Sequence, residues 1–515
     1  MRLLVRLHAR YAGGVRPHRD LAACLLGHGG ELPGCPAAGG SGIHAGTSGE
    51  RDLEWAEQNN LIHKPTDTPS REKNGWSGDA MASSESQLLT WGTAPLFTKY
   101  LRDFPDAMAD SGQLPMILPA VRGGYGYNGT PGWDACWAAV PAWDAALFVI
   151  PWELYLYAGD PSLLTELLPV QRRLLDYYAT LFRPENDYVF EASLGEYSAA
   201  GDTGSNAVIS LQFYIHFADH MHRVCTMLGE PDADAYQRLS AELRRVFLRR
   251  YWDSEARRFI GGEVESENIL ALEFDLVPGT DLPNGDPRCL PGGRTLAENR
   301  RSVADAAASI RDAGHHFQSG VYGARYLFNV LEEFGHTDLL MRAVTVRDAP
   351  GFADQIARGA TSLWEAWGGG SLNHHYRSSV ATWFYQELAG ITPTSPGYAT
   401  VRVRPRVPLG DDYLKAVPTS PDDPGTTGSL GYVGARLRTP RGTVSSRWRR
   451  GDDGQIDLTV TVPANTVAEV WCPRTGEPVA RSKGEALVGD REFGGVKYSI
   501  FLVTQGSHHF LGRLG

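Results

Sequence analysis

The sequence has few cysteines, no long apolar run and no excess of basic residues, and each absence excludes a class of protein. The six cysteines form no Cys-X-X-Cys pair and no metal-like spacing, which predicts free, buried thiols in a reducing compartment. No apolar stretch reaches membrane-spanning length. Acidic residues outnumber basic ones by 60 to 49, so neither nucleic acid nor an anionic membrane is an expected partner. The cysteines are Cys24, Cys35, Cys136, Cys225, Cys289 and Cys472.

Signals for cofactors and for export are also missing. No Gly-rich phosphate loop is followed by Lys and Ser or Thr, which argues against a nucleotide. Histidines and carboxylates show no recognised ligand spacing, so we expect no metal site and no cofactor. Residues 1–14 start basic, but charges interrupt their apolar run, which is too short for a secretion signal. The sequence therefore predicts a cytoplasmic protein.

A loop without helical or strand periodicity, from Pro65 to Asp79, is the first candidate site. It places Asp67, Glu72 and Asp79 beside Trp76, between turn-forming residues. An indole face stacks on a sugar ring, while carboxylates bind hydroxyl groups and transfer protons, so the loop is typical of a sugar site. The alternative is an acidic, solvated surface loop.

A second motif, from Gly359 to His375, places Glu365 between two tryptophans, ahead of a run of glycines and Asn-His-His. Glycosidases use two carboxyl groups on opposite sides of the scissile bond, one protonating the leaving oxygen and one activating water or attacking carbon. Glu72 and Glu365 are candidates for that pair. His374 and His375 are equally consistent with structural histidines.

Together these motifs resemble the α-L-rhamnosidases of glycoside hydrolase family 78. The resemblance covers the chain from about residue 52 to about residue 473, with the motifs in the order that the family shows. Several spaced motifs in order are a strong signal, whereas any one of them alone is weak. The motifs are Asp67-Thr-Pro-Ser-Arg-Glu72-Lys-Asn-Gly-Trp76-Ser-Gly-Asp79, Thr130-Pro-Gly-Trp133-Asp134, Gly359-Ala-Thr-Ser-Leu-Trp364-Glu365-Ala-Trp367 and Ser371-Leu-Asn-His374.

The resemblance implies an inverting hydrolase that removes terminal non-reducing α-L-rhamnose from small glycosides or oligosaccharides. It implies that Glu72 is the general acid and that Glu365 is the general base, with the two carboxyl groups roughly 6.5–9.5 Å apart. In relatives a third loop usually reads Gly-Asp-Trp, whereas this chain has Gly195-Glu196-Tyr197, so Tyr197 is expected to alter substrate preference. The residues implied to bind the sugar are Asp67, Trp76, Asp79, Trp133, Tyr197 and His374.

Residues from Gly78 to Ile391 show helical periodicity, with segments joined by Gly/Pro/Asp loops. Paired helices without intervening strands predict either a solenoid or a closed (α/α)6 toroid, and the absence of a fixed repeat disfavours the solenoid. The resemblance implies the toroid, with one acidic funnel at the ends of its inner helices. The predicted helices include Ala82–Leu101, Val140–Ala158, Thr165–Phe182, Ser210–Leu228, Ala233–Tyr251, Ser319–Glu333 and Val380–Leu388.

After Ile391 the periodicity changes to two, with frequent turns, which predicts an antiparallel β-sandwich. We therefore expect a disordered or atypical segment at 1–50, a catalytic barrel at 51–392 and a β-sandwich domain at 393–515. Relatives usually carry N-terminal β-sandwich modules and a complete first helix, for which this chain has no room. A catalytically inactive rhamnose-binding relative and another (α/α)6 glycosidase or lyase are thus alternatives, although two Glu-centred motifs disfavour the lyase.

Overall fold

A computed structural model of the chain describes residues 8–9, 65–68, 73–118, 139–191, 194–201, 204–256, 258–260, 264–277, 300–410, 430–451, 453–475, 480–481 and 485–514. Helices dominate the described residues up to 388, and strands dominate those from 391 onward. The predicted fold class, a helical barrel followed by a β-sandwich, is confirmed.

Thirteen α-helices lie in the described part of the barrel. They are α1 (Ser77–Trp91), α2 (Ala94–Ala107), α3 (Pro141–Asp144), α4 (Ala146–Ala158), α5 (Ser162–Leu181), α6 (Asn206–Leu228), α7 (Ala233–Tyr251), α8 (Glu265–Glu273), α9 (Arg300–Asp312), α10 (Val321–Glu333), α11 (Thr337–Thr345), α12 (Phe352–Ala357) and α13 (Ser379–Trp383), with a π-helical turn at Phe384–Leu388.

The inner helices form a closed ring. Helix α1 packs on α3 and α4, α3 on α6, α6 on α8, α8 on α10, and α10 on α13, which returns to α1. Helices α5, α7, α9 and α11 each pack outside the inner helix that precedes them in sequence. This closure distinguishes a toroid from a solenoid, because every inner helix has a neighbour on both sides.

Two predicted helices are interrupted. The predicted helix Ala82–Leu101 is divided between α1 and α2, because Gly92 adopts a left-handed conformation with φ +66° that ends α1. The segment Val140–Ala158 divides at Ala145 into α3 and α4. Helix α8 was not predicted, because its first turn is polar and buried, so it lacks an amphipathic stripe.

Eleven strands among the described residues are linked by hydrogen bonds, eight of them along one path and three beside it. Only the pair Arg474 and Arg513 joins strand β9 (Val467–Arg474) to strand β13 (Gly506–Arg513), so the path divides into two sheets that pack as a sandwich. Phe501 and Phe510, one from each sheet, lie with ring centroids 5.0 Å apart in the shared core. The strands are β1 (His8–Ala9), β4 (Ile391–Pro393), β5 (Thr400–Val403), β6 (Leu430–Thr439), β7 (Gly442–Arg450), β8 (Gln455–Val462), β9 (Val467–Arg474), β10 (Ala480–Arg481), β11 (Ala486–Phe493), β12 (Val496–Val503) and β13 (Gly506–Arg513), while β2 (Trp252–Asp253) and β3 (Arg258–Phe259) form a separate hairpin.

Strand β1 pairs with β6, so two residues of the predicted disordered or atypical segment 1–50 belong to the sandwich. The rest of that segment lies outside the described residues. Cys225 and Cys472 are buried free thiols, and the other four cysteines also lie outside the described residues. No helix in the described ranges combines the length and the apolar character needed to cross a membrane.

The sandwich packs against the end of the barrel where the inner helices finish. The Trp448 indole N–H donates to the carbonyl of Leu388 at 2.8 Å, in the π-helical turn that ends the last inner helix. Arg406 lies between Glu332 and Glu387 at the same junction. The opposite end of the barrel, where the inner helices begin, is therefore away from these sandwich contacts. The loops that lead into the inner helices lie at that end, which is called the loop end below.

Candidate active site

The candidate motifs meet at the amino-terminal ends of the inner helices. Asp79 lies in the first turn of α1, and Glu365 lies in the loop that precedes α13. Helix amino termini present unpaired N–H groups and a partial positive charge, which favour nearby carboxylates. A closed ring of helices that all begin at one end therefore concentrates acidic side chains there.

The loop with the first motif is closed on itself. The Asn74 N–H donates to Asp67 Oδ1 at 2.9 Å, and the Asp67 N–H donates to the Asn74 carbonyl at 2.9 Å. Asp67 is only 2% exposed, and its Oδ1 atom accepts a hydrogen bond from within the loop, so this side chain stabilises the loop conformation. Glu72, the predicted acid, belongs to the segment between these two residues and lies outside the described residues.

The same loop is fixed to the barrel at both sides. The His375 ring contacts the Thr66 carbonyl through Nε2 and the Ser83 hydroxyl, 2.6 Å away, through Nδ1. Burial lowers the pKa of His375, so the ring is neutral and bridges these two groups. On the other side, the Ser77 N–H donates to the Met116 carbonyl at 2.8 Å. His375 therefore has the structural role that the sequence left open.

Glu365 lies on a tight hairpin with an inserted residue. Ala366 and Gly369 exchange two main-chain hydrogen bonds, and the Glu365 N–H donates to the Ser371 carbonyl at 2.9 Å. Gly370 is the extra residue and adopts φ +77°, a conformation that glycine accepts without strain. The run of glycines thus turns the chain so that the Glu365 side chain faces the other loops.

Both oxygens of the Glu365 carboxylate accept a hydrogen bond. The Tyr197 hydroxyl donates to Oε1 at 2.7 Å, and the Ser371 N–H donates to Oε2 at 2.8 Å. Burial acts to raise the pKa of Glu365, but the hydrogen bonds from Tyr197 and Ser371 outweigh it and lower the pKa to about 2. Glu365 is therefore ionised throughout the neutral range.

Asp79 and His374 form a second pair, with 3.3 Å between Asp79 Oδ1 and His374 Nε2. Both residues are buried, at 7% and 4% exposure. Asp79 comes from the first helix of the ring and His374 from the segment before the last. The closure of the ring thus brings together two predicted sugar-binding residues that are far apart in sequence.

Two buried glutamates that were not predicted as site residues lie nearby, Glu196 in a loop and Glu265 at the first residue of α8. Glu196 accepts hydrogen bonds from the N–H groups of Tyr322 and Gly323, in the first turn of α10, and from the Ser266 hydroxyl. Glu265 accepts from the N–H of Ser319 at 2.9 Å. Burial raises the pKa of Glu196 and of Glu265 to about 7, although these hydrogen bonds oppose the increase.

The other predicted residues differ in how far the structure describes them. Trp76 is half-buried immediately before α1, and the Tyr197 ring is 46% exposed above Glu365. Trp133 lies outside the described residues. Within the described ranges, no group of three or more His, Cys, Asp or Glu residues is arranged to hold a metal ion.

Sequence reasoning missed Glu265 and the buried Arg377, which contacts the Glu365 loop. The only sequence signal for Glu265 is a polar pair, Glu265 and Glu267, immediately before the apolar part of α8. Arg377 has no local signal, because a single arginine in a polar loop is ordinarily a surface residue.

Comparisons with known proteins agree with this architecture. Residues 51–388 match the model of the bacterial α-L-rhamnosidase six-hairpin glycosidase domain, and residues 390–486 match that of the bacterial α-L-rhamnosidase C-terminal domain. An α-L-rhamnosidase of Streptomyces avermitilis is 31% identical over 477 residues, which are 89% of this chain and 40% of that protein. An α-L-rhamnosidase of an Alteromonas species is 24% identical and is covered over 47% of its length.

Solved structures give the same result. The structure of the Streptomyces avermitilis α-L-rhamnosidase complexed with L-rhamnose superposes with a TM-score of 0.74 at 28% identity, over 90% of this chain and 40% of that one. An α-L-rhamnosidase from Dictyoglumus thermophilum has the same fold, with a TM-score of 0.72 at 24% identity. This chain spans about two fifths to one half of the length of these relatives. It belongs to the family of bacterial α-L-rhamnosidases with a six-hairpin glycosidase domain.

Proposed function

We propose that this protein is an inverting α-L-rhamnosidase, which hydrolyses terminal non-reducing α-L-rhamnose from glycosides or oligosaccharides. The observation that carries the proposal is the ionised Glu365 carboxylate, set in the loops of a six-hairpin barrel of this family. Inverting and retaining glycosidases both require one protonated and one ionised carboxyl group, so inversion is proposed here from the family resemblance. A carboxyl group with a pKa of about 2 cannot donate a proton at neutral pH, so Glu365 suits the base and not the acid.

In this proposal Glu365 takes a proton from a water molecule whose oxygen attacks the anomeric carbon. The Glu72 carboxyl group gives its proton to the glycosidic oxygen as the bond between that oxygen and the anomeric carbon breaks. The products are rhamnose of inverted anomeric configuration and the free alcohol. One water molecule is consumed, and the proton that Glu365 gains balances the proton that Glu72 loses.

The remaining predicted residues bind the sugar in this proposal. Asp79 and His374 hold sugar hydroxyl groups, since their paired side chains lie at the same barrel end as Glu365. Trp76 and Trp133 pack on the ring and on its apolar methyl group. The L-rhamnose complex of the Streptomyces avermitilis relative supports this choice of sugar.

A rhamnose-binding protein without turnover is the competing hypothesis. It is motivated by the hydrogen bonds on both Glu365 oxygens, which compete with the water that a general base must hold. Each carboxylate oxygen has two acceptor positions, so a hydrogen bond from the protein at that oxygen does not by itself exclude a water molecule. This geometry is compatible with a base, and activity distinguishes the two hypotheses.

The test is release of nitrophenol from p-nitrophenyl α-L-rhamnopyranoside, with the α-D-glucoside and the α-L-arabinoside as controls. We expect rhamnoside-selective turnover, and we expect Glu365→Gln to lower kcat by about 10²–10⁴-fold while L-rhamnose binding measured by calorimetry is retained. The exposed Glu166 pairs with Arg102, and Glu166→Gln is a matched control that keeps full activity. NMR of the first product formed should show the β-anomer. Rhamnose binding without turnover would identify a binding protein, and near-wild-type kcat in Glu365→Gln would exclude Glu365 as the base.

A further inference from the structure

Arg377 is a buried arginine whose hydrogen bonds go to main-chain carbonyls and one hydroxyl instead of a carboxylate. It is 2% exposed. One guanidinium nitrogen donates to the carbonyls of Glu365 at 3.0 Å and Trp364 at 3.3 Å. Another donates to the Ser198 carbonyl at 2.7 Å and to its hydroxyl at 3.2 Å. A single side chain thus joins the loop that carries Glu365 to the loop that carries Tyr197.

The guanidinium is held in place by aromatic rings. Its central carbon lies 4.1 Å from the centre of the Trp367 ring and 4.7 Å from that of Tyr376. Stacking on these faces offsets part of the cost of burying the charge. The Tyr376 hydroxyl also donates to the Glu365 carbonyl at 2.6 Å. The main chain at Glu365 is therefore fixed from several directions, with Arg377 at the centre of the contacts.

The second loop depends on the same contact. Ser198 adopts φ +60°, a left-handed conformation that is unfavourable for a residue with a Cβ and must be stabilised by its surroundings. The two hydrogen bonds from Arg377 stabilise Ser198, and the Ser198 hydroxyl donates to the Glu365 carbonyl at 2.9 Å. Tyr197 immediately precedes Ser198, so this conformation determines where the Tyr197 hydroxyl points.

We propose that Arg377 is a positioning residue that holds residues 194–201 and 364–371 together so that the Tyr197 hydroxyl meets the Glu365 carboxylate. The planar fork of arginine reaches carbonyls on two loops at once, which the single ammonium of lysine cannot do with the same geometry. The inference rests on the proposed role of Glu365 as the base. Arg377 itself contacts neither carboxylate oxygen among the contacts described, so it acts through Tyr197 and the main chain.

A double-mutant cycle with Arg377→Lys and Tyr197→Phe tests this role. Each single variant is expected to lower kcat by about tenfold with a smaller change in KM, because the carboxylate loses its fixed position. Each also moves the acid limb of the kcat pH profile to higher pH, because the Tyr197 hydrogen bond that favours ionised Glu365 is weakened or lost. If Arg377 acts through Tyr197, the double variant is no slower than about the slower single variant. A double variant whose loss equals the product of the two single losses would overturn the proposal.

Arg406→Lys is the matched control, because Arg406 is equally buried but lies at the barrel–sandwich junction. It is expected to lower thermal stability and to leave the pH profile of the folded enzyme unchanged. Hydrogen exchange provides a readout that does not require turnover. In Arg377→Lys, exchange should increase together in peptides covering 194–201 and 362–372, and in Arg406→Lys it should not. Failure of the wild type to hydrolyse rhamnosides would refute the proposed function alone, whereas unchanged exchange in both loops of Arg377→Lys would refute this inference.

Discussion

The two ends of the barrel hold their buried carboxylates in opposite ways. At the loop end, Glu196 and Glu265 accept hydrogen bonds from main-chain N–H groups and serine hydroxyls. At the sandwich end, Glu332 and Glu387 lie within 3.4 Å of Arg406. Hydrogen bonds from neutral donors and the charge of an arginine both favour the ionised carboxylate, but only the arginine places a positive charge beside it. The end at which neutral donors hold Glu196 and Glu265 is the end at which we propose proton transfer and sugar binding.

The centre of the barrel contains two neighbouring carboxyl groups that share one arginine. Arg325 contacts both Glu85, at 2.9 Å, and Glu153; the Arg325 and Glu153 side chains are buried, and the Glu85 side chain is 12% exposed. Burial acts to raise the pKa of Glu85, but Arg325 and the Tyr157 hydroxyl outweigh it and lower the pKa. Burial raises the pKa of Glu153 to about 8. One arginine thus keeps one of two neighbouring carboxylates ionised, and the other holds a proton.

The largest expected effect is at the sandwich end. Arg406→Met leaves buried Glu332 without this cation and Glu387 with only the more distant Arg404, at 3.9 Å, so the free energy of unfolding should fall by about 3–5 kcal/mol. Urea denaturation measures this loss. Arg436 lies on the same domain but is exposed, and Arg436→Met should change stability by no more than about 0.5 kcal/mol. Equal, small losses in the two variants would show that the junction does not depend on its ion pairs.

The pH dependence of stability tests the loop end, with an effect that is smaller per group. Burial raises the folded-state pKa of Glu196 and Glu265 from 4.5 to about 7, so the folded state binds more protons than the unfolded chain between these values. The free energy of unfolding should therefore fall as the pH rises from about 4.5 to about 7, by on the order of 3 kcal/mol per group. Urea denaturation at pH 5, 6 and 7 measures the slope.

Substitution of these glutamates identifies the source of that slope. The variant with both Glu196→Gln and Glu265→Gln should lose the part of the slope that these two groups contribute, because a neutral amide binds no proton in either state. The part that comes from Asp144 and Glu153, whose pKa values burial raises to about 8, should remain. Arg102 hydrogen-bonds the exposed Glu166 and lowers its pKa, so Glu166→Gln should leave the slope between pH 5 and 7 unchanged. An unaltered slope in the double variant would contradict the neutral-donor account of the loop end.

The fold was largely predictable because its signals are local. Period 3.6 gives way to period two near Ile391, and the structure changes from helix to strand at that residue. Helix α8 escaped prediction because Glu265, Ser266 and Glu267 are buried against other loops, which erases the polar face that marks an ordinary helix. Burial of polar groups is decided by tertiary partners, which a single sequence does not display.

The site was predictable only in part, for the same reason. Glu365 and His374 stand in motifs that are continuous in sequence. The partner of Glu365, Tyr197, is 168 residues away, and nothing in the local sequence indicates that its hydroxyl meets a carboxylate. Arg377 is a stronger case, because its four hydrogen bonds depend on carbonyl positions that only the folded loops create. The sequence therefore identified candidate site residues, but it did not predict which side chains contact each other.

The smallest expected effect comes from replacing either of two glycines by alanine. Comparing the two variants distinguishes the cost of backbone strain from a displacement of Glu365. Gly370 and Gly359 both have positive φ, +77° and +95°. A Cβ on Gly370 would lie 3.0 Å from Glu365 Oε2, whereas a Cβ on Gly359 would have no atom within 4 Å. Replacement by alanine should cost about 1 kcal/mol of stability at either position, because the left-handed backbone is unfavourable for both variants.

Only Gly370→Ala should also change catalysis, because its methyl group pushes on the proposed base. We expect kcat for p-nitrophenyl α-L-rhamnoside to fall by about tenfold in Gly370→Ala and to stay at the wild-type value in Gly359→Ala, at equal folded fractions. The carboxylate of Glu365 is held by loop contacts and neutral donors, and a displacement of a few tenths of an ångström alters every one of them. If the two variants instead show the same kcat, the position of Glu365 tolerates such a shift, and the hairpin with its inserted glycine serves stability alone.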